Sequence, residues 1–344
     1  MWWVAWRQHR LTVLIALAVL VVVAAAALIF QLVLIARLHA AGCTVLTDSN
    51  ACTSVAAQNA FDQNTWHLLR GVLVATPIVL GVFVGAPMFP REFEQRTEVF
   101  ALTQSVGRLR WWATKVTVAG VPLLAGLLGL GFLQQWCDAT TWFTSGAALY
   151  DGTFQVRSIM PAAYGLLSFA IAVTAGLFIR SVTAALVAAL VVAGAGVVLI
   201  AFPLRPHLLP ATRLATAIPA VQPGPGAVSA YNKAMQGSWF LGSGYLLRDG
   251  QAISFYQAND VPCQDISMTM TNGQQPTAQQ TADYTKALAK CQADHGIKHY
   301  TDYLPASMLW PLRGVEAGIC VLLAGLALAF GAFRLRARAG SRSS

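Results

Sequence analysis

The chain has 344 residues, 56 % of them apolar and 11 % charged, and its mean hydropathy is +0.57. Soluble domains carry about 25 % charged residues, and so apolar a chain cannot cover its surface against water. Soluble, disordered, collagen-like and disulfide mini-scaffold classes are therefore excluded. The net charge of +9 (23 Lys and Arg against 14 Asp and Glu) is not gathered in one patch, so it does not point to nucleic acid.

A bilayer core of about 30 Å needs about 20 apolar residues of helix. In chain order, residues 1–10 hold Trp2, Trp3, Trp6, Arg7 and Arg10 and read as an interfacial helix lying flat on the membrane. The first span is 11–36, interrupted only by Gln31. It exceeds the roughly 7–15 apolar residues of a signal peptide and is expected to stay as an anchor. The leucine at 38 is too far from Cys43 for a lipoprotein cleavage site. Spans two to five follow at 68–89, 115–136, 159–179 and 182–202, and the sixth at 312–333. Between spans five and six lies a large segment, 203–311, opening with a proline-rich stretch that continues as loop or short strands. It contains an amphipathic helix near 277–295 that stops at Gly296. The expected fold is an all-α polytopic membrane protein with six transmembrane helices, an N-terminal interfacial helix and a large extracellular segment.

Orientation follows from basic flanks. With the N-terminus in the cytoplasm, the inner segments hold Arg7, Arg10, Arg91, Arg96, Arg108, Arg110, Lys115, Arg180, Arg334, Arg336, Arg338 and Arg342 against Glu92, Glu94 and Glu98. The longer outer segments hold basic and acidic residues in near balance. Both termini are then cytoplasmic, the tail 334–344 is attracted to anionic lipid, and the chain is a multi-pass plasma-membrane protein.

Cys43, Cys52, Cys137, Cys263 and Cys291 fall on the outer side and Cys320 within a span, a bias that fits an oxidising exterior. Cys43 with Cys52 and Cys263 with Cys291 is the economical pairing, but spacing does not fix connectivity. Cys291, His295 and His299 recur every four residues and could line up metal ligands. Gly296 interrupts that helix, so a disulfide with exposed histidines is the favoured reading. No phosphate loop, nucleophile elbow or His-Glu-x-x-His pair occurs, so neither ATP binding nor hydrolase chemistry is expected of this chain, and no cofactor is implied.

Glu316 is the one acidic residue within a span, about 6 Å from the outer end of its helix. An intramembrane carboxylate is a functional candidate. Arg313, one turn earlier on the same face, is its expected partner. The shallow depth favours an anchor pair near the interface.

The cytoplasmic segment 90–112 reads as a short charged helix with an apolar stripe of Phe93, Thr97, Phe100 and Ala101, broken near residues 105–107. Trp111 and Trp112 then mark the interface before span three. A charged helix at the membrane base, too short to be a domain, suits docking of a partner.

Four stretches carry a resemblance: Trp-x-x-Trp-Arg-Gln-His-Arg at 3–10, the Ala-Pro-x-x-x-Arg-Glu-Phe-Glu … Leu-Thr-Gln-Ser-Val-x-Arg-x-Arg-Trp block at 86–111, Arg-Pro-His at 205–207, and Tyr-Leu-Pro-Ala-Ser at 303–307 with Trp310 and Glu316. In this order the chain resembles the permease subunits of actinobacterial type-2 ABC exporters. It departs from them at Glu98 and Val99, and no proline follows Arg180. The resemblance implies a six-span permease that dimerises and pairs with separate ABC-type ATP-binding subunits. The loop after span two would be the coupling helix, through Arg91, Glu92, Phe93, Glu94, Gln95, Arg96, Phe100, Thr103, Gln104, Ser105 and Arg108. Arg180 and Ser181 would form a second cytoplasmic contact. Closure of the ATPase pair would then open a central cavity outward to an amphiphilic substrate.

Two other functions compete with export. An anchored extracellular binding or sensor protein would have no use for the striped cytoplasmic helix. A polytopic enzyme would need polar residues converging inside the spans.

Overall fold

The computed structural model describes residues 2–43, 63–90, 107–140, 153–179, 181–216, 237–254, 263 and 278–340. The chain forms two compact units, one of residues 1–145, 151–208 and 310–344, the other of residues 146–150 and 209–309. The first unit contains α1 (Trp2–Ala40), α2 (Gln63–Gly85), α3 (Arg108–Ala139), the single turn α4 (Thr153–Val156), α5 (Met160–Phe178) and α6 (Val182–Leu199). The second unit contains α7 (Ala278–His295), and α8 (Leu309–Gly340) returns the chain to the first. Among the described residues, six helices are long and apolar enough to cross a membrane, in the order expected.

Helix ends differ from the apolar runs. Helix α1 is unbroken from Trp2, so residues 2–10 are continuous with the first span rather than a separate interfacial helix. Neither Gly nor Pro occurs between residues 2 and 40 to interrupt the hydrogen-bond ladder. Helix α3 begins at Arg108 and α8 runs into the basic tail, because charged residues end an apolar run without ending a helix.

Helix α5 is central: 14 of its 19 residues are buried. It meets α2 with almost no side chain between the backbones. A Cβ on Gly81 would lie 2.7 Å from the Gly165 carbonyl oxygen, and one on Gly85 would lie 2.8 Å from that of Phe169. Such small-residue contacts are how spanning helices associate where lipid removes the hydrophobic incentive. Helix α6 adds a stripe of fully buried alanines, Ala185, Ala189 and Ala193, packed with Val82, Ala86 and Ala172. The main core gathers Val13 and Leu20 of α1, Leu73 and Leu80 of α2, Leu127 of α3 and Phe169 of α5.

The second unit carries a four-stranded antiparallel sheet in the order β1 (Thr212–Thr216), β4 (Lys298–Leu304), β2 (Trp239–Leu246), β3 (Ala252–Ser254). Short strands are among the elements the sequence leaves open for this segment, and the other described elements of the chain are helical. Arg213 stands opposite Asp302 in the β1–β4 register, and Nε and Nη2 reach the two carboxylate oxygens at 2.7 and 2.8 Å. That bond raises the Arg213 pKa. Helix α7 ends as expected at Gly296, whose φ of +67° favours a residue without a Cβ. The Gly296 N–H bonds the Ala293 carbonyl and the Ile297 N–H the Gln292 carbonyl, a Schellman closure. A disulfide joins Cys263 to Cys291 of α7.

Candidate functional site

One end of the bundle concentrates buried charge. The turn after α6 brings in the first cation. Pro203 cannot donate to the helical ladder, and the chain widens into a π turn, Ile200–Leu204, then tightens into a 3-10 turn, Arg205–His207. π turns within helices are frequent at functional positions. Here the change of pitch turns Arg205 inward, leaving it 3 % exposed. Its Nε donates to Oε2 of Glu316 at 2.8 Å and its Nη2 to Oε1 at 3.0 Å. The same Nη2 donates to the Tyr164 hydroxyl at 3.0 Å, and that hydroxyl donates to Oε1. Glu316 is wholly buried and accepts three of these four bonds, the Tyr164 hydroxyl accepting the other. The arrangement ties α5, the turn after α6, and α8 together through one carboxylate.

Arg157 supplies a second buried pair, donating from Nε to Asp138 at the end of α3, with Gln134 Nε2 adding a bond of 3.3 Å. Its place depends on a strained turn. Ser158 has a φ of +57°, uncommon outside glycine. Its N–H donates to the Gly131 carbonyl at 2.8 Å. A Cβ on Gly131 would lie 2.0 Å from the Ser158 oxygen, so only glycine lets α3 approach this turn. The Phe154 ring of α4 lies 4.3 Å from the Arg205 guanidinium and 5.6 Å from that of Arg313.

The expected Arg313–Glu316 pair is thus corrected. Glu316 pairs with Arg205, 111 positions away, and Arg313 instead lies against the Phe154 and Trp310 rings. The sequence shows Arg205 within an Arg-Pro-His motif and offers it no partner, and Asp138 and Arg157 fall between the expected spans 115–136 and 159–179. A cation between two prolines at the end of an apolar run was the signal for Arg205.

Gln31, the single interruption of the first run, is buried and donates to the Cys137 carbonyl at 2.8 Å and the Thr140 hydroxyl at 2.7 Å. At the opposite end, Phe89 and Trp111 meet edge to face at 5.5 Å, and the Lys115 ammonium lies 4.3 Å from the Trp111 ring centre. The chain between them holds Arg91, Glu92, Phe93, Glu94, Gln95, Arg96, Phe100, Thr103, Gln104 and Ser105, which lie outside the described residues, as do Arg180 and Cys52. Arg108 opens α3, and Ser181 caps α6 by accepting from the Ala184 N–H. Cys43 is disulfide-bonded.

The metal reading of Cys291, His295 and His299 does not fit. Cys263 and Cys291 lie beside His295, but their sulfurs are bonded to each other and neither is a thiolate. His299 is on β4, not α7, edge-on to Tyr245, and burial lowers its pKa.

Comparison with curated proteins and with solved structures gave no match. A family model does match, over residues 12–205, a stretch that takes in the first five spans and ends on the buried Arg205. This chain, a multi-pass membrane protein, belongs to the ABC-2 membrane transporter related family.

Proposed function

We propose that the chain is the permease subunit of an ATP-driven ABC exporter, a plasma-membrane protein with both termini cytoplasmic. It works as a permease dimer with separate ATP-binding subunits and moves an amphiphilic substrate outward. The family match over residues 12–205 carries the reading. The absence of a phosphate loop from the sequence assigns ATP hydrolysis to the partner.

The route from partner to bundle is supported by the clasp at the base. Phe89 and Trp111 lie close to either end of segment 91–106 in the sequence, and these two rings touch. Lys115, 2 % exposed, lies over both rings. A displacement of the segment therefore loads α2 and α3 at a single corner.

The test is co-purification with a co-expressed ABC-type ATP-binding subunit, followed by ATP hydrolysis in reconstituted vesicles. The parent chain should retain the subunit and stimulate hydrolysis. Glu94→Lys should weaken retention tenfold or more, or abolish stimulation, since breaking a charged interface contact costs about 2–5 kcal/mol. Phe93→Ala should act alike by removing a packing contact. If both variants match the parent, segment 91–105 is not the coupling element.

A further inference from the structure

Arg313 is 2 % exposed, yet its Nε has no hydrogen-bond partner among the described residues. Its electrostatic neighbours are Arg157, which repels it, and Asp138, whose carboxylate already accepts from Arg157 and Gln134. Among the described residues at this end of the bundle, three buried guanidiniums (Arg157, Arg205, Arg313) face two buried carboxylates (Asp138, Glu316). The Trp310 and Phe154 rings, 5.4 and 5.6 Å from the Arg313 guanidinium carbon, offset part of the cost. A ring face accepts no directed N–H fork, however, and a cation–π contact offsets only part of the cost of burying a cation. Gln134 Oε1 and Ser158 Oγ, at the same end, also lack partners among the described residues.

An oxyanion supplies the acceptor that the Arg313 guanidinium lacks among the described residues. The guanidinium is planar and always charged, and its fork matches the oxygens of a phosphate or carboxylate. Trp310 covers the guanidinium and is itself 54 % exposed, and Val315 nearby on α8 is 40 % exposed. Displacing that ring opens Arg313 to a headgroup, while the apolar surface of α8 takes a tail. We propose that Arg313 is the headgroup-recognising residue of a binding site for an amphiphile with an oxyanion head. The proposal rests on the transport reading above for its role as a substrate site.

The test uses the full chain purified in neutral detergent, with thermal stability and tryptophan fluorescence as readouts and no ATP-binding subunit present. Short-chain phosphatidic acid should bind saturably, phosphatidylcholine with the same tails at least tenfold more weakly, and inorganic phosphate at least tenfold more weakly than phosphatidic acid. Arg313→Gln should lose tenfold or more in phosphatidic acid affinity, Arg313→Lys should retain part of it, and Arg213→Gln, which removes a cation in the other unit, should match the parent. If Arg313→Gln does not fold, the lipid comparison on the parent and Arg313→Lys still decides. Equal binding of both lipids, or undiminished binding by Arg313→Lys and Arg313→Gln, overturns the site. Saturation by inorganic phosphate at the same concentration overturns the amphiphile. None of these measurements depends on coupling to an ATPase, so failure here leaves the transport reading standing, and its failure would not erase a binding site found here.

Discussion

Glu316 has no solvent-exposed surface, and its carboxylate is held by two nitrogens of Arg205 and by Tyr164. A buried ion pair adds little over a well-packed apolar pair, because desolvation consumes most of the attraction. Removing one member is another matter, since the survivor is left as an uncompensated buried charge. Glu316→Leu and Arg205→Leu should each destabilise the bundle by about 3–5 kcal/mol, while the double variant should lose clearly less than the sum. Thermal unfolding of the full chain in detergent measures the three, and strictly additive losses would show the side chains to be uncoupled. The carboxylate itself was legible in the sequence as the one acid within an apolar run. Its partner was not, because helical spacing ranks a neighbour three residues away above an arginine 111 positions earlier. The geometry that overrides the local choice is the π turn at Pro203, which no hydropathy pattern encodes.

At the scale of elements, the spans were legible because about 20 consecutive apolar residues admit few alternatives. The sheet was less so. Strand β4, Lys-His-Tyr-Thr-Asp-Tyr-Leu, mixes polar and aromatic residues without clean alternation, and it is held between partners that precede it in the chain by more than 50 residues. Contact between helices was legible only as a richness in glycine; which glycines matter depends on which faces meet. Gly81 faces the Gly165 carbonyl oxygen at a distance no Cβ tolerates, whereas a Cβ on Gly71, also in α2, would meet nothing within 4 Å. Gly81→Ala should therefore force α2 away from α5 and cost about 1–3 kcal/mol. Gly71→Ala should be neutral or slightly stabilising, since alanine is the better helix former. The comparison of the two melting temperatures decides the point; equal values would mean that α2 and α5 are not in backbone contact.

The whole molecule is organised by where its charge falls. Six crossings would put both termini on one side, and the basic residues in short flanking segments make the cytoplasmic side the expected one. Arg334, Arg336, Arg338 and Arg342 follow the last span with no acid among them, and segment 91–110 adds Arg91, Arg96, Arg108 and Arg110. The segment between the last two spans instead holds basic and acidic residues in near balance, with a disulfide between Cys263 and Cys291 that suits an oxidising exterior. That disulfide closes a loop of 28 positions, worth about 3–4 kcal/mol in the chain-entropy account. The expected topology places Lys233 outside and Arg338 in the cytoplasm. A membrane-impermeant maleimide applied to intact cells should label Lys233→Cys readily and Arg338→Cys only after permeabilisation. The background is low because the free thiols Cys137 and Cys320 are buried. Labelling of Arg338→Cys in intact cells, with Lys233→Cys protected, would invert the molecule. It would place segment 91–105 outside the cell, where no cytoplasmic ATPase could reach it.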